Sequence, residues 1–138
     1  MIFGIGTDIV HIPDIEKMLG NDHFMKRVFS VEERLAQKGK RNAAQSFAAD
    51  FAAKESFSKA IGTGIRGFSL TEVELLREEN GKPFVRLNGR AKEIADSLSI
   101  TDIYVSVSHA EDKAICFLVA ACQDPPQAGY PLKESSSR

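Results

Sequence analysis

Lys54, Glu55 and Lys59 share one alanine-rich stretch, Phe51-Ala-Ala-Lys54-Glu55-Ser-Phe-Ser-Lys59-Ala-Ile-Gly62-Thr63-Gly64. Glu55 and Lys59 are four residues apart, so on a helix they project from one face. Two readings compete. The pair is a surface ion pair, worth about 0.2–0.5 kcal/mol, or it is a metal ligand beside a lysine that holds a phosphate. The first reading of Lys54 is a solvated helix residue. Asp8, in Gly-Thr-Asp8-Ile-Val, is the other acid of interest. Its ordinary reading is a cap or loop acid ahead of Pro13, and its functional reading is a ligand for a hard cation. Magnesium takes one or two carboxylates and fills its octahedron with waters and substrate phosphate oxygens. Asp8 therefore needs a second acid, and Glu55, flanked by alanines and phenylalanines, is the best candidate.

Other residues carry weaker signals. Gly62-Thr63-Gly64 reads as a helix stop. No GxxxxGK[ST] loop and no GxGxxG fingerprint occurs. Ser106-Val-Ser108-His109 lacks the Gly-x-Ser-x-Gly elbow of a hydrolase, and on a strand Ser108 and His109 point to opposite faces. His109 alone can hydrogen-bond a phosphate or a leaving group. Lys38, Lys40 and Arg41 form a basic cluster that is a solvated surface or a contact for an exposed phosphate.

These residues need elements to position them. Ile2 to Val10 alternates as a strand, with Phe3, Ile5, Thr7 and Ile9 on one face and Gly4, Gly6, Asp8 and Val10 on the other. The glycines leave that second face open to a close backbone or ligand. A short helix opens at Pro13 and runs to about Leu19, ahead of Gly20. His23 to Phe29 forms a further turn or two of helix. Ser30-Val-Glu-Glu33 is a capping box for a helix ending near Gly39. A long helix spans about Asn42 to Ile61, with Phe47, Phe51 and Phe57 as anchors.

Leu70 to Arg77 reads as a strand with Val73 and Leu75 inward, turned by Asn80-Gly81 into Pro83 to Leu87. Arg90 to Leu98 is helical. Ile103 to Ser108 and Ala114 to Ala121 form a closing antiparallel pair joined by a turn over His109 to Lys113. The expected fold class is α+β, with an antiparallel sheet packed against the long helix. A single domain covers residues 1–123, and the Pro- and Ser-rich stretch 124–138 is expected to be disordered.

The composition bounds the function. The 138 residues are 43% hydrophobic and 27% charged, with net charge −1, which suits one ordinary globular domain. No large basic field invites nucleic acid. No apolar run reaches the ~20 residues of a membrane span, and the start lacks a signal peptide's basic region. Cys116 and Cys122 would lie ~20 Å apart along one strand, too far to bridge. A reducing cytoplasm is the expected compartment.

Taken together, Ile5-Gly-Thr-Asp8-Ile-Val, Phe51-Ala-Ala-Lys54-Glu55-Ser-Phe-Ser-Lys59-Ala-Ile-Gly-Thr-Gly and Ser106-Val-Ser-His109 resemble the holo-[acyl-carrier-protein] synthases. These are the short bacterial 4′-phosphopantetheinyl transferases, and the resemblance covers about Met1 to Ala121. It implies transfer of 4′-phosphopantetheine from coenzyme A to a serine of apo-acyl carrier protein, releasing adenosine 3′,5′-bisphosphate, in support of fatty acid biosynthesis. It implies that Asp8 and Glu55 bind Mg²⁺ and that Lys59 contacts the diphosphate. His109, Gly62 and Gly64 would lie at the coenzyme pocket, and Lys40 and Arg41 would meet the 3′-phosphate. The serine proton would go to Glu55 or to a water on the metal. A homotrimer with active sites between subunits is implied as well.

The chain departs from that pattern at two arginine positions, where it carries Asp14 and Asp50. Both reverse charge, and like charges slow the encounter with an acidic carrier. Lys17, Lys26, Arg27 and Arg34 are candidates for a substitute patch. The rival readings are a homologue that binds coenzyme A or a carrier without catalysis, and a Mg²⁺-dependent phosphohydrolase.

Overall fold

The computed structural model describes residues 1–123; the stretch 124–138, and the expectation for it, lie outside the described residues. Strand β1 (Ile2–His11) leads into α1 (Ile12–Glu16), α2 (Asp22–Val28), α3 (Val31–Gln37) and the long α4 (Ala43–Ile61). A 3₁₀ turn (Leu70–Glu72) precedes the hairpin β2 (Val73–Arg77) and β3 (Pro83–Leu87). Helix α5 (Gly89–Ser97) and the hairpin β4 (Asp102–Ala110) and β5 (Lys113–Ala121) complete the order. The main sheet is antiparallel with order β1-β5-β4, and β2-β3 forms a second, two-stranded sheet.

The α+β expectation holds, and most elements fall where composition and capping place them. Four details differ. Phe3 sits at a register shift in β1 and packs against the core instead of sharing the face of Ile5. Helix α1 ends at Glu16, three residues short of Leu19. Leu70–Glu72 is a 3₁₀ turn rather than strand, because the side chains of Ser69 and Glu72 cap it reciprocally. The last hairpin turns in two residues, with Ala110 paired to Lys113 and Glu111 at a φ of 55°, so His109 belongs to β4 and not to the turn.

Helix α4 is the spine. It is buried nearly all round, because its faces are built from Ala48, Ala49, Ala52, Ala53, Phe47 and Phe57. A helix without a polar face packs on every side. Its contact with β1 needs the two glycines. A Cβ at Gly6 would stand 1.8 Å from the Ser56 carbonyl oxygen, and one at Gly4 would stand 2.0 Å from that of Ala60. Two residues of strand advance about 6.8 Å and four residues of helix about 6 Å. Gly4 over Ala60 and Gly6 over Ser56 therefore run in step and antiparallel. The next residue on the glycine face is Asp8, which this register carries towards the middle of α4, where Glu55 stands.

Candidate active site

Asp8 lies within β1, not at a helix cap: the N-cap of α1 is His11, and no side chain caps it. The groove beside Asp8 measures about 450 Å³ and has both Asp8 and Glu55 in its wall, with Val10, Ile15, Met18 and Phe51 as apolar lining. Glu55 is half-buried. Burial first, and the negative charge of Asp8 second, push its carboxyl above the ordinary range, against the pull of Lys59. Two carboxylates, one of them raising the proton affinity of the other, face a space that a cation would fill.

Lys59 does not fold back on Glu55 as a helix-surface pair. Its ammonium crosses to β1, donating to the Thr7 carbonyl oxygen at 2.8 Å and approaching Asp8 Oδ1 at 3.3 Å. It remains half exposed, so it faces solvent with donor capacity to spare. Asp8, Glu55 and Lys59 thus converge from two elements.

The donor set fits a hard dication. Among the described residues no three His, Cys, Asp or Glu side chains are grouped so as to hold a metal ion by themselves. Two carboxylates without a soft ligand suit magnesium and leave most of the octahedron to water and phosphate oxygen.

The remaining sequence candidates are not brought to this groove within one chain. Gly62 ends α4 in the left-handed conformation, φ 80°, its amide donating to the Ser58 and Lys59 carbonyls. Gly64 follows in the exposed connection at φ 64°. His109 lies on β4, the sheet edge opposite β1; the register sets it against Ala114 while Asp8 pairs with Cys116. Two strand spacings put roughly 10 Å between the edge strands. Lys40 and Arg41 are exposed just before α4, and the rise of a helix places them about 20 Å from Glu55.

The described chain matches the sequence model of the 4′-phosphopantetheinyl transferase superfamily over residues 4–117. The chain belongs to that superfamily. It is 40% identical over 121 residues to the holo-[acyl-carrier-protein] synthase of Alkaliphilus oremlandii, an alignment covering 87% of this chain and 99% of the relative. The crystal structure of the Neisseria meningitidis holo-[acyl-carrier-protein] synthase superposes with a TM-score of 0.77 at 36% identity, covering 88% of this chain and 99% of that one. The Helicobacter pylori synthase in complex with coenzyme A superposes with a TM-score of 0.74 at 32% identity, covering 85% and 99%.

The superfamily member carries charged groups that the sequence reading placed wrongly. Lys54 is not solvated but fully buried, its ammonium 2.6 Å from Glu33 Oε1 and donating to the carbonyls of Leu70 and Val73. Glu33, read as half of a capping box, does keep that role towards Ser30. Its other oxygen accepts from the Leu75 amide at 3.1 Å. Asp50 is no surface charge either. It is fully buried beside Arg77, whose Nη2 lies 3.0 Å from Oδ1. That approach lies off the hydrogen-bond direction, so neither oxygen of Asp50 has an aligned donor. Of the two charge reversals, only Asp14 stands at the surface. Among the basic candidates for a substitute patch, Lys26 already pairs with Asp22 at 3.0 Å.

Burial pushes the Asp50 carboxyl up to about 7 from 3.8, with Glu33 adding to the rise while Arg77 and Lys54 oppose it. The folded state holds this proton more tightly than the unfolded chain, so the stabilisation is full below about pH 4 and is lost as pH rises towards 7. The upper bound is about 4 kcal/mol, from ~1.4 kcal/mol per unit. Urea titrations of the wild type and Asp50→Asn should give a stability difference that shifts against the wild type between pH 4 and 7 and is level above. A difference constant across that range would rule out a buried, titrating Asp50.

Proposed function

We propose that the protein is a Mg²⁺-dependent holo-[acyl-carrier-protein] synthase. It moves 4′-phosphopantetheine from coenzyme A to a serine hydroxyl of apo-acyl carrier protein, for fatty acid biosynthesis. The observation that carries this reading is the convergence of Asp8, Glu55 and Lys59 on one groove in a chain of this superfamily. The coenzyme A complex of the Helicobacter pylori relative supports coenzyme A as the donor.

Asp8 and Glu55 would hold the metal, which when bound neutralises charge on the diphosphate. Lys59, fixed by the Thr7 carbonyl, stabilises the leaving phosphate from the side of α4. The serine oxygen bonds to the phosphorus that carries pantetheine, the bridging P–O bond breaks, and adenosine 3′,5′-bisphosphate leaves. The hydroxyl proton passes to Glu55 or to water. Gly62 and Gly64 leave room at the end of α4 for the coenzyme.

His109, Lys40 and Arg41 serve the coenzyme from a neighbouring subunit in this reading, since the distances above keep them from the groove of their own chain. A homotrimer is supported by an apolar outer sheet face. Ile5, Ile9, Tyr104 and Phe117 are each 45–61% exposed there, on the side of the sheet away from α4. Exposed apolar surface of that kind marks a contact between proteins. No helix among the described residues is long and apolar enough to cross a membrane, and the cytoplasm is the proposed compartment.

The test is incubation with coenzyme A, Mg²⁺ and apo-acyl carrier protein, followed by intact mass. A phosphopantetheine adduct on the carrier is the expected result. Free phosphopantetheine without a modified carrier would indicate a phosphohydrolase, and coenzyme A binding without either product a non-catalytic homologue. Both outcomes overturn the proposal.

A further inference from the structure

We infer that His11 is a positioning residue for the acceptor: as an imidazolium it staples α1, one wall of the active-site groove, to the β4–β5 turn. The inference rests on the functional reading above and concerns residues that reading does not use.

His11 ends β1 and lines the groove together with Asp14, Ile15 and Met18 of α1 and the following turn. Its two ring nitrogens face two different carboxylates. Nε2 lies 2.8 Å from Asp112 Oδ2 in the β4–β5 turn, and Nδ1 lies 3.4 Å from Asp14 Oδ1 in α1. A carboxylate only accepts, so each ring nitrogen must carry a hydrogen to engage its partner, and only the imidazolium carries both. The neutral ring must release one of the two.

The other charges around the ring leave that arrangement intact. From β5, Lys113 stands opposite His11 in the strand register, but its ammonium turns to Asp112 Oδ1 at 3.2 Å. Glu111 is the remaining residue of the turn, and Asp8 and Glu55 line the same groove. The hydrogen bond to Asp112 first, and the nearby Asp14 carboxylate second, raise the imidazole above its ordinary 6.5. The ring therefore keeps its second proton to higher pH than a free imidazole.

Apart from the core packing of Ile12 and Ile15, the start of helix α1 is held lightly. The helix is five residues long, has no side-chain cap, and joins the turn through one backbone bond, Ile12 N–H to the Asp112 carbonyl at 2.7 Å. Losing the Asp14 or the Asp112 arm frees the wall that the arriving serine segment must pass. The diphosphate end of the site, on α4, is untouched. Acceptor affinity should thus respond to His11 while turnover of bound substrates does not.

The experiment measures KM for apo-acyl carrier protein and kcat from pH 6 to 8.5, in wild type and His11→Gln. Wild-type KM should rise about three- to tenfold across that range relative to His11→Gln, whose KM stays near the wild-type value at high pH; kcat should follow one profile in both. Protection factors for the Ile12 and Ile15 amides should fall over the same range in wild type only. An equal pH slope of KM in His11→Gln, or protection that does not change with pH, overturns the inference. The exchange measurement needs no turnover, so absence of transfer would count against the functional reading alone.

Discussion

Glu55→Gln abolishes transfer to the limit of detection, a loss of about a thousandfold or more, while the protein stays folded. The expectation combines two separable facts. Asp8 and Glu55 are the carboxylates of the groove that stand with Lys59, the third, Asp14, facing His11, so the loss of Glu55 halves the charge available to a dication there. Removing even one neutral donor from a preorganised site costs about 10²–10³ in rate, and a metal ligand contributes more than one donor. Stability should not suffer. Glu55 is half-buried beside a like charge that already raises its proton affinity, so a neutral isostere relieves repulsion. Calorimetry should show Mg²⁺ binding in the presence of coenzyme A lost in the variant, with the thermal midpoint equal to or above wild type. Transfer within tenfold of wild type would remove Glu55 from the site. Asp8→Asn should be as inactive, and the double variant no worse than either, because residues that act on one ion are not additive. Asp8→Asn also weakens the hold on Lys59, whose remaining anchor is the Thr7 carbonyl.

The parts of this site that were legible in the sequence are those set by local periodicity. Strand alternation placed Asp8 on the face of Gly4 and Gly6, and those glycines signalled a close backbone, which proves to be α4. Helical spacing put Glu55 and Lys59 on one side of α4, and Ser30 with Glu33 gave the start of α3. What escaped were the ion pairs between elements. Lys59 chose Asp8 over the neighbour four residues away. Lys54 and Asp50 were read as surface charges because such residues are seldom fully buried unless paired, and their partners, Glu33 and Arg77, lie on other elements. A usable signal was present nonetheless. The residues around them, Ala48, Ala49, Ala52 and Ala53, leave α4 without a polar face. A charge set among those alanines is buried by its surroundings and must have a partner. His11 escaped for the same reason, since one of its two carboxylates sits at the far end of the chain, in a turn whose length the sequence reading overestimated.

Lys54→Met destabilises the protein by about 3–5 kcal/mol, the range for breaking a buried ion pair from one side. The ammonium is completely enclosed and serves three acceptors: Glu33 Oε1, the Leu70 carbonyl and the Val73 carbonyl. Burial alone depresses its proton affinity, and Glu33 works against that fall, so the pair is a mutual dependence and not a surplus. Methionine matches the stem but strands a carboxylate in the core and leaves two carbonyls unserved. Glu33→Gln should cost a similar amount, since it leaves the ammonium uncompensated. The double variant should recover much of the loss, because a neutral pair no longer buries an unpaired charge. That coupling, read from urea denaturation of the four proteins, is the decisive quantity. Additive losses would mean that the two side chains do not depend on one another, contrary to their 2.6 Å contact. The consequence reaches the active site through geometry. Lys54 pins α4 to the 3₁₀ turn and β2, and Glu55 is the next residue on that helix, so the roll of α4 that aims Glu55 at Asp8 is held about 100° round the helix by a charge that never meets solvent. At temperatures where Lys54→Met is still folded, its apparent Mg²⁺ affinity should therefore fall several-fold, and Glu33→Gln, which removes the charge that holds Lys54, should shift it in the same direction.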